Sequence, residues 1–102
     1  MENNNIVIRQ ARIIDPNGQL DLVGDLLIAG GEIVAAGRLD LEQIPENSLV
    51  IDGTGLVACP GFIDLHCHLR EPGFEYKETI AAGSKAGAKG GFTTLCAMPN
   101  TD

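Results

Sequence analysis

The pattern of hydrophobic and polar positions changes once along this chain, near residue 57. Before it, apolar residues come in short runs with partial alternation, the period of a half-buried strand. Ile6 to Ile14 is one such run. Asp15-Pro16-Asn17-Gly18 then reads as a turn, because Pro presets φ while Asn and Gly tolerate positive φ. Asp25 to Ala29 and Glu32 to Ala36 flank Gly30-Gly31, a two-residue hairpin signal. Leu49 to Ile51 predicts a further brief strand, ended by Asp52-Gly53. The polar stretch Arg38 to Asn47 predicts a loop or one helical turn.

After residue 57 the runs lengthen. Phe62 to Leu69 is largely apolar, as in strands buried inside a parallel sheet. Glu71-Pro72-Gly73 ends it. Tyr76 to Ala88 spaces small or apolar residues four apart, which predicts a helix. Glu75 and Glu78 suit its N-terminal end, Lys85 and Lys89 its C-terminal end, and Gly90-Gly91 stops it. Gly83 and Gly87 weaken the helix but permit close packing. Phe92 to Met98 predicts another strand. Strand, helix, strand makes a βαβ unit with parallel strands. One such unit cannot close a sheet or cover both its faces, so the expectation is that this is the N-terminal piece of a longer protein.

Composition narrows the class. The chain has 102 residues and a formal charge of −7. Phosphate binding needs a basic face, so nucleic acid and anionic membrane surfaces are excluded as partners. Most of the acidic excess lies in the first region and reads as a solvated outer face. Cys59, Cys67 and Cys96 are odd in number and fit no zinc-ribbon spacing, which predicts free, buried thiols in a reducing compartment. The N-terminus lacks the regions of a signal peptide, and no apolar run reaches membrane-spanning length. The expected location is cytoplasmic.

The candidate chemistry lies in Asp64-Leu65-His66-Cys67-His68-Leu69-Arg70. Alternate residues of a strand share a face, so His66 and His68 point together, with Asp64 beside them and Cys67 turned away. A lone histidine on an apolar face is usually a satisfied core residue. Two on one face, preceded by an aspartate, are less easily explained so. Two ligands do not complete a site, since zinc takes four, or three plus water. Asp64 has two readings, a structural carboxylate or a group that orients a histidine. Arg70 is either a surface arginine or a fork for a substrate carboxylate. Asn100, at the end of the next strand, is either a turn former after Pro99 or a second donor to the same anion. Ligands of parallel α/β sheets lie beyond the carboxyl ends of the strands, which is where Arg70 and Asn100 fall.

Together these residues resemble a known family. Residues 60–73, PGFIDLHCHLREPG, look like the first metal-binding strand and loop of dihydroorotases in the amidohydrolase superfamily. Residues 90–101, GGFTTLCAMPNT, resemble the same family's second strand. The region with Gly30-Gly31-Glu32-Ile33 and Asp52-Gly53-Thr54-Gly55 resembles the small β-sandwich that precedes its barrel. The HxH pair is shared with dihydropyrimidinases and allantoinases, whereas HxHxREPG with MPNT narrows the match to dihydroorotase, of class I type.

The resemblance implies an α/β fold: a β-sandwich segment over 1–57, then over 58–102 the first βαβ unit of a (β/α)8 barrel. It implies one or two zinc ions, with His66 and His68 as the first two ligands and Arg70 and Asn100 holding the substrate carboxylate. Water acidified by the metal would attack the ring amide of dihydroorotate to give N-carbamoyl-aspartate, a reversible step of pyrimidine biosynthesis. The remaining ligands and the general acid and base would lie outside this chain, so no catalytic residue is assigned within it and the segment alone is expected to be inactive. The expected partners are the rest of the dihydroorotase chain, a second copy, or aspartate transcarbamoylase. Two alternatives stay open: a non-catalytic scaffold for that transcarbamoylase, and another cyclic-amide hydrolase such as an allantoinase or hydantoinase.

Overall fold

The computed structural model describes residues 4–99. The chain divides into two compact units, one reaching Pro60 and one beginning at Gly61.

The first unit is a five-stranded mixed sheet. Strands β1 (Ile6–Asp15), β2 (Leu20–Ala29) and β3 (Glu32–Gly37) form an antiparallel meander. The short strands β4 (Leu49–Asp52) and β5 (Val57–Ala58) both pair parallel with β1, one along each half of it. The hairpin between β2 and β3 turns at Gly30 and Gly31, both at positive φ (60° and 79°), the geometry that alternating residues flanking a Gly-Gly pair require. The predicted loop over 38–47 holds one 3₁₀ turn, Leu41–Gln43, in which the Asp40 N–H donates to Gln43 Oε1.

Strand β2 is twice as long as its sequence signal. Gly24 and Asp25 break the apolar pattern, yet both lie within the strand. Gly24 is there because a β-carbon would come within 2.7 Å of the Gly37 carbonyl on β3. Asp25 is there because its charge is satisfied inside. It is buried, an exception to the solvated face expected of the acidic residues of this region, most of which are exposed. Its carboxylate accepts from Arg9 Nε at 2.9 Å, from the Gln10 N–H at 3.0 Å and from the Leu39 N–H at 3.0 Å. Gln10 sits at φ 59° where β1 bulges between Ile8 and Ala11, so Asp25 ties down the bulge and the exit from β3 together. Val7, Ala11, Ile13, Leu26 and Leu27 form the buried apolar core around it.

The second unit is the expected βαβ unit. Strand β6 (Phe62–Cys67) and strand β7 (Phe92–Ala97) pair parallel, joined through helix α1 (Ile80–Lys89). Phe62 and Phe92 meet edge to face at 5.6 Å where the two strands begin. Further bonds, Phe62 N–H to Gly91 O and Met98 N–H to Cys67 O, extend the ladder at both ends. Gly87 lets α1 approach Leu95 of β7, where an added β-carbon would sit 3.2 Å away.

Helix α1 starts four residues later than its apolar spacing predicts. Thr79 caps it, accepting the Ala82 N–H at 3.1 Å, and the preceding residues fold into turns in which Phe74 O accepts from Lys77 N–H. Lys77 is therefore no helix residue; its ammonium stands 5.3 Å from the Phe74 ring centre. The cysteines are unpaired, but Cys59 is exposed and Cys67 and Cys96 are half-buried. The expectation of buried thiols fails because strand apolarity does not by itself supply a covering layer. Among the described residues no helix is long and apolar enough to cross a membrane.

Candidate metal and carboxylate site

The candidate site gathers at the carboxyl end of β6. His66 lies within the strand and His68 one residue past it. Their rings stand side by side, centres 5.2 Å apart and planes at 69°. Zinc–nitrogen bonds of about 2 Å at a tetrahedral angle place two imidazole centres roughly 5 Å apart, so this spacing suits one shared ion. The donor type suits it too, since imidazole nitrogen is a common zinc ligand. Two donors are all this segment brings together: no group of three or more His, Cys, Asp or Glu side chains capable of holding a metal forms among the described residues.

Asp64 accepts the backbone N–H of His66 at 3.0 Å through Oδ1. This bond holds the peptide that carries the first imidazole. The Cys67 thiol is pushed above its ordinary value by desolvation, then by Asp64, Cys96 and Glu78.

Arg70 stands two residues beyond His68, half-buried, with φ at 69°. A left-handed arginine is uncommon, and local bonds hold it there. Its carbonyl accepts the Phe74 N–H at 2.9 Å. Its guanidinium makes no hydrogen bond or ion pair among the described residues. Asn100 lies outside the described residues, so its place beside Arg70 is not part of this geometry.

Three further residues shape this corner. Glu71 Oε1 accepts the Ile80 N–H at the first turn of α1, at 3.0 Å. Gly83, buried in α1, admits Leu69: a β-carbon there would come within 2.7 Å of Leu69 Cδ2. Thr79, the cap, was the legible one, since a threonine before a helical pattern is a standard start signal. Glu71 and Gly83 act across nine and fourteen positions, where no periodicity reaches.

Residues 55–102 match the dihydro-orotase-like family. Along nearly its whole length the chain is similar to proteins named dihydroorotase. It is 53% identical over 96 residues to that of Solibacter usitatus and 50% identical over 97 residues to that of Caldicellulosiruptor saccharolyticus. These alignments cover 94% and 95% of this chain but 22% of each relative. Among solved structures, it resembles a D-hydantoinase (TM-score 0.74, 31% identity, 89% of this chain and 19% of that one). A D-hydantoinase (dihydropyrimidinase) from a Thermus species is also similar (TM-score 0.63, 33% identity, 95% and 22%). The fold class is thereby α/β, a strand-dominated sandwich start followed by the opening βαβ unit of a barrel-type amidohydrolase. Residues 55–102 thus carry the pattern of the dihydro-orotase-like family, and the chain as a whole is similar to about a fifth of the length of the dihydroorotases it matches.

Proposed function

We propose that this chain is the N-terminal segment of a zinc-dependent dihydroorotase, which interconverts (S)-dihydroorotate plus water and N-carbamoyl-L-aspartate in de novo pyrimidine biosynthesis. The observation that carries it is the pair of imidazoles 5.2 Å apart at the end of β6, with a guanidinium two residues on that has no partner among the described residues. Residues 1–57 are the sandwich segment and 58–102 the first βαβ unit of a (β/α)8 barrel. His66 and His68 hold one of one or two zinc ions through ring nitrogens, with the other ligands supplied by the remainder of the protein. Bound zinc supplies Lewis acidity and lowers the pKa of water at neutral pH. Arg70 binds the substrate carboxylate bidentately, and Asn100 donates to the same group. Asp64 fixes the strand that presents His66. The protein acts in the cytoplasm on a small molecule, alone or in a complex with further copies or with aspartate transcarbamoylase.

The likeness to D-hydantoinases supports a second reading, hydrolysis of a cyclic amide that lacks the ring carboxylate. Arg70 argues for the first reading, because hydantoin and allantoin lack the ring carboxylate that a guanidinium would grip. The test is a panel of dihydroorotate, hydantoin and allantoin offered to the full-length enzyme, before and after zinc removal by chelation. Zinc-dependent turnover of dihydroorotate is expected. Turnover of the uncharged rings alone would favour the hydantoinase reading, and no turnover or zinc uptake at all would favour a scaffold.

A further inference from the structure

Arg70 is the residue on which the proposed substrate choice depends, yet among the described residues no hydrogen bond or ion pair holds its side chain. What is held is the backbone on either side. Before it, Leu69 packs on Gly83 of α1, where an added β-carbon would stand 2.7 Å from Leu69 Cδ2 and force that side chain to shift. After it, Glu71 Oε1 accepts the Ile80 N–H of the same helix at 3.0 Å. The turn between them closes through Phe74 N–H to Arg70 O at 2.9 Å, and Gly73 N–H donates to Glu75 Oε1 at 2.8 Å. The left-handed φ of Arg70 is thus enforced from two sides by the first two turns of one helix. Thr79 already caps α1 through the Ala82 N–H. Glu71 reaches a different orphan donor from nine residues away, which ties the loop to the helix as well as capping it.

We propose that Glu71 is a positioning residue for Arg70: its carboxylate clamps the Arg70–Gly73 turn onto α1, with Leu69 on Gly83 as the apolar half of the clamp, so that the guanidinium meets the substrate carboxylate already aimed. This rests on the carboxylate role given to Arg70 above. A planar fork loses its bidentate geometry with a small rotation of its backbone, and a misplacement of about 1 Å can lower a rate by a factor of roughly a hundred.

The test compares four variants of the full-length enzyme on dihydroorotate. Glu71→Ala is expected to raise KM about tenfold while leaving kcat within about threefold, because ground-state binding of the anion is what slackens. Glu71→Gln recovers most of that loss, since an amide oxygen still accepts the Ile80 N–H. Thr79→Ala is the control: it removes a cap from the same helix without untying the loop, so it lowers thermal stability but leaves KM near wild type. Arg70→Ala lowers kcat/KM by roughly ten- to a hundredfold, and adding Glu71→Ala to it brings no further loss. The clamp is overturned if Glu71→Ala moves KM no more than Thr79→Ala does, or if its effect persists undiminished without Arg70. If Arg70→Ala itself leaves kcat/KM unchanged, the carboxylate role fails first and the clamp with it.

Discussion

Removing Asp25 should unpin the first unit, and the size of the loss follows from its bonds. Asp25→Ala strands three donors: the N–H groups of Gln10 and Leu39 and the Arg9 guanidinium. Both amide bonds are part-buried and Gln10 itself is exposed, so each donor left without its carboxylate costs toward the lower end of about 1–3 kcal/mol. Arg9 counts for less, because its side chain is 26% exposed and regains water, against 6% for that of Asp25. The sum is about 2–4 kcal/mol, a sizeable part of the roughly 5–15 kcal/mol that holds a domain folded. The carboxyl also sets a pH dependence. Desolvation pushes its pKa up, but the Leu39 and Gln10 N–H groups and Arg9 outweigh that and hold it below the usual carboxylate range. A group whose folded pKa is depressed stabilises fully above its unfolded value, about 3.9, and loses that contribution as pH falls through the lower folded value. Urea unfolding followed by circular dichroism should therefore show the full loss for Asp25→Ala at pH 7 and a smaller difference from wild type near pH 2. Asp25→Asn, with one acceptor oxygen and no charge, should fall between. A loss under about 1 kcal/mol at pH 7, or a difference that grows in acid, would refute the reasoning.

Three further outcomes are expected. Gly61→Ala places a β-carbon in overlap with the Thr93 side chain, so it should destabilise by about 1–3 kcal/mol, and Thr93→Ala in the same protein should recover part of it; an unchanged melting temperature would contradict the packing. Gly31→Ala, at φ 79° with open space around it, should cost about 1 kcal/mol through backbone strain alone, read from the same melts. In the full-length enzyme, His66→Ala and His68→Ala should each lower bound zinc, measured by atomic absorption; a variant that keeps its full zinc content removes that histidine from the ligand set.

The strands, the Gly30-Gly31 hairpin, the parallel βαβ unit and the paired histidines were legible in the sequence because each depends on a short-range rule. Period two, two turn glycines, a helix between two apolar runs and alternate residues on a strand all operate within a few positions. Only the tertiary structure decided that Asp25 belongs inside, because what makes its burial tolerable comes from Arg9, Gln10 and Leu39 on other segments. It decided that α1 begins after Thr79, where a cap and the Glu71 carboxylate satisfy the first donors, and that the cysteines stay partly in solvent. It decided too that Arg70 takes a left-handed backbone between two contacts with a helix ten residues on. Local pattern determines which elements form; satisfaction of buried polar groups and steric closeness, which act between residues distant in the chain, determine where those elements end and how the site is aimed.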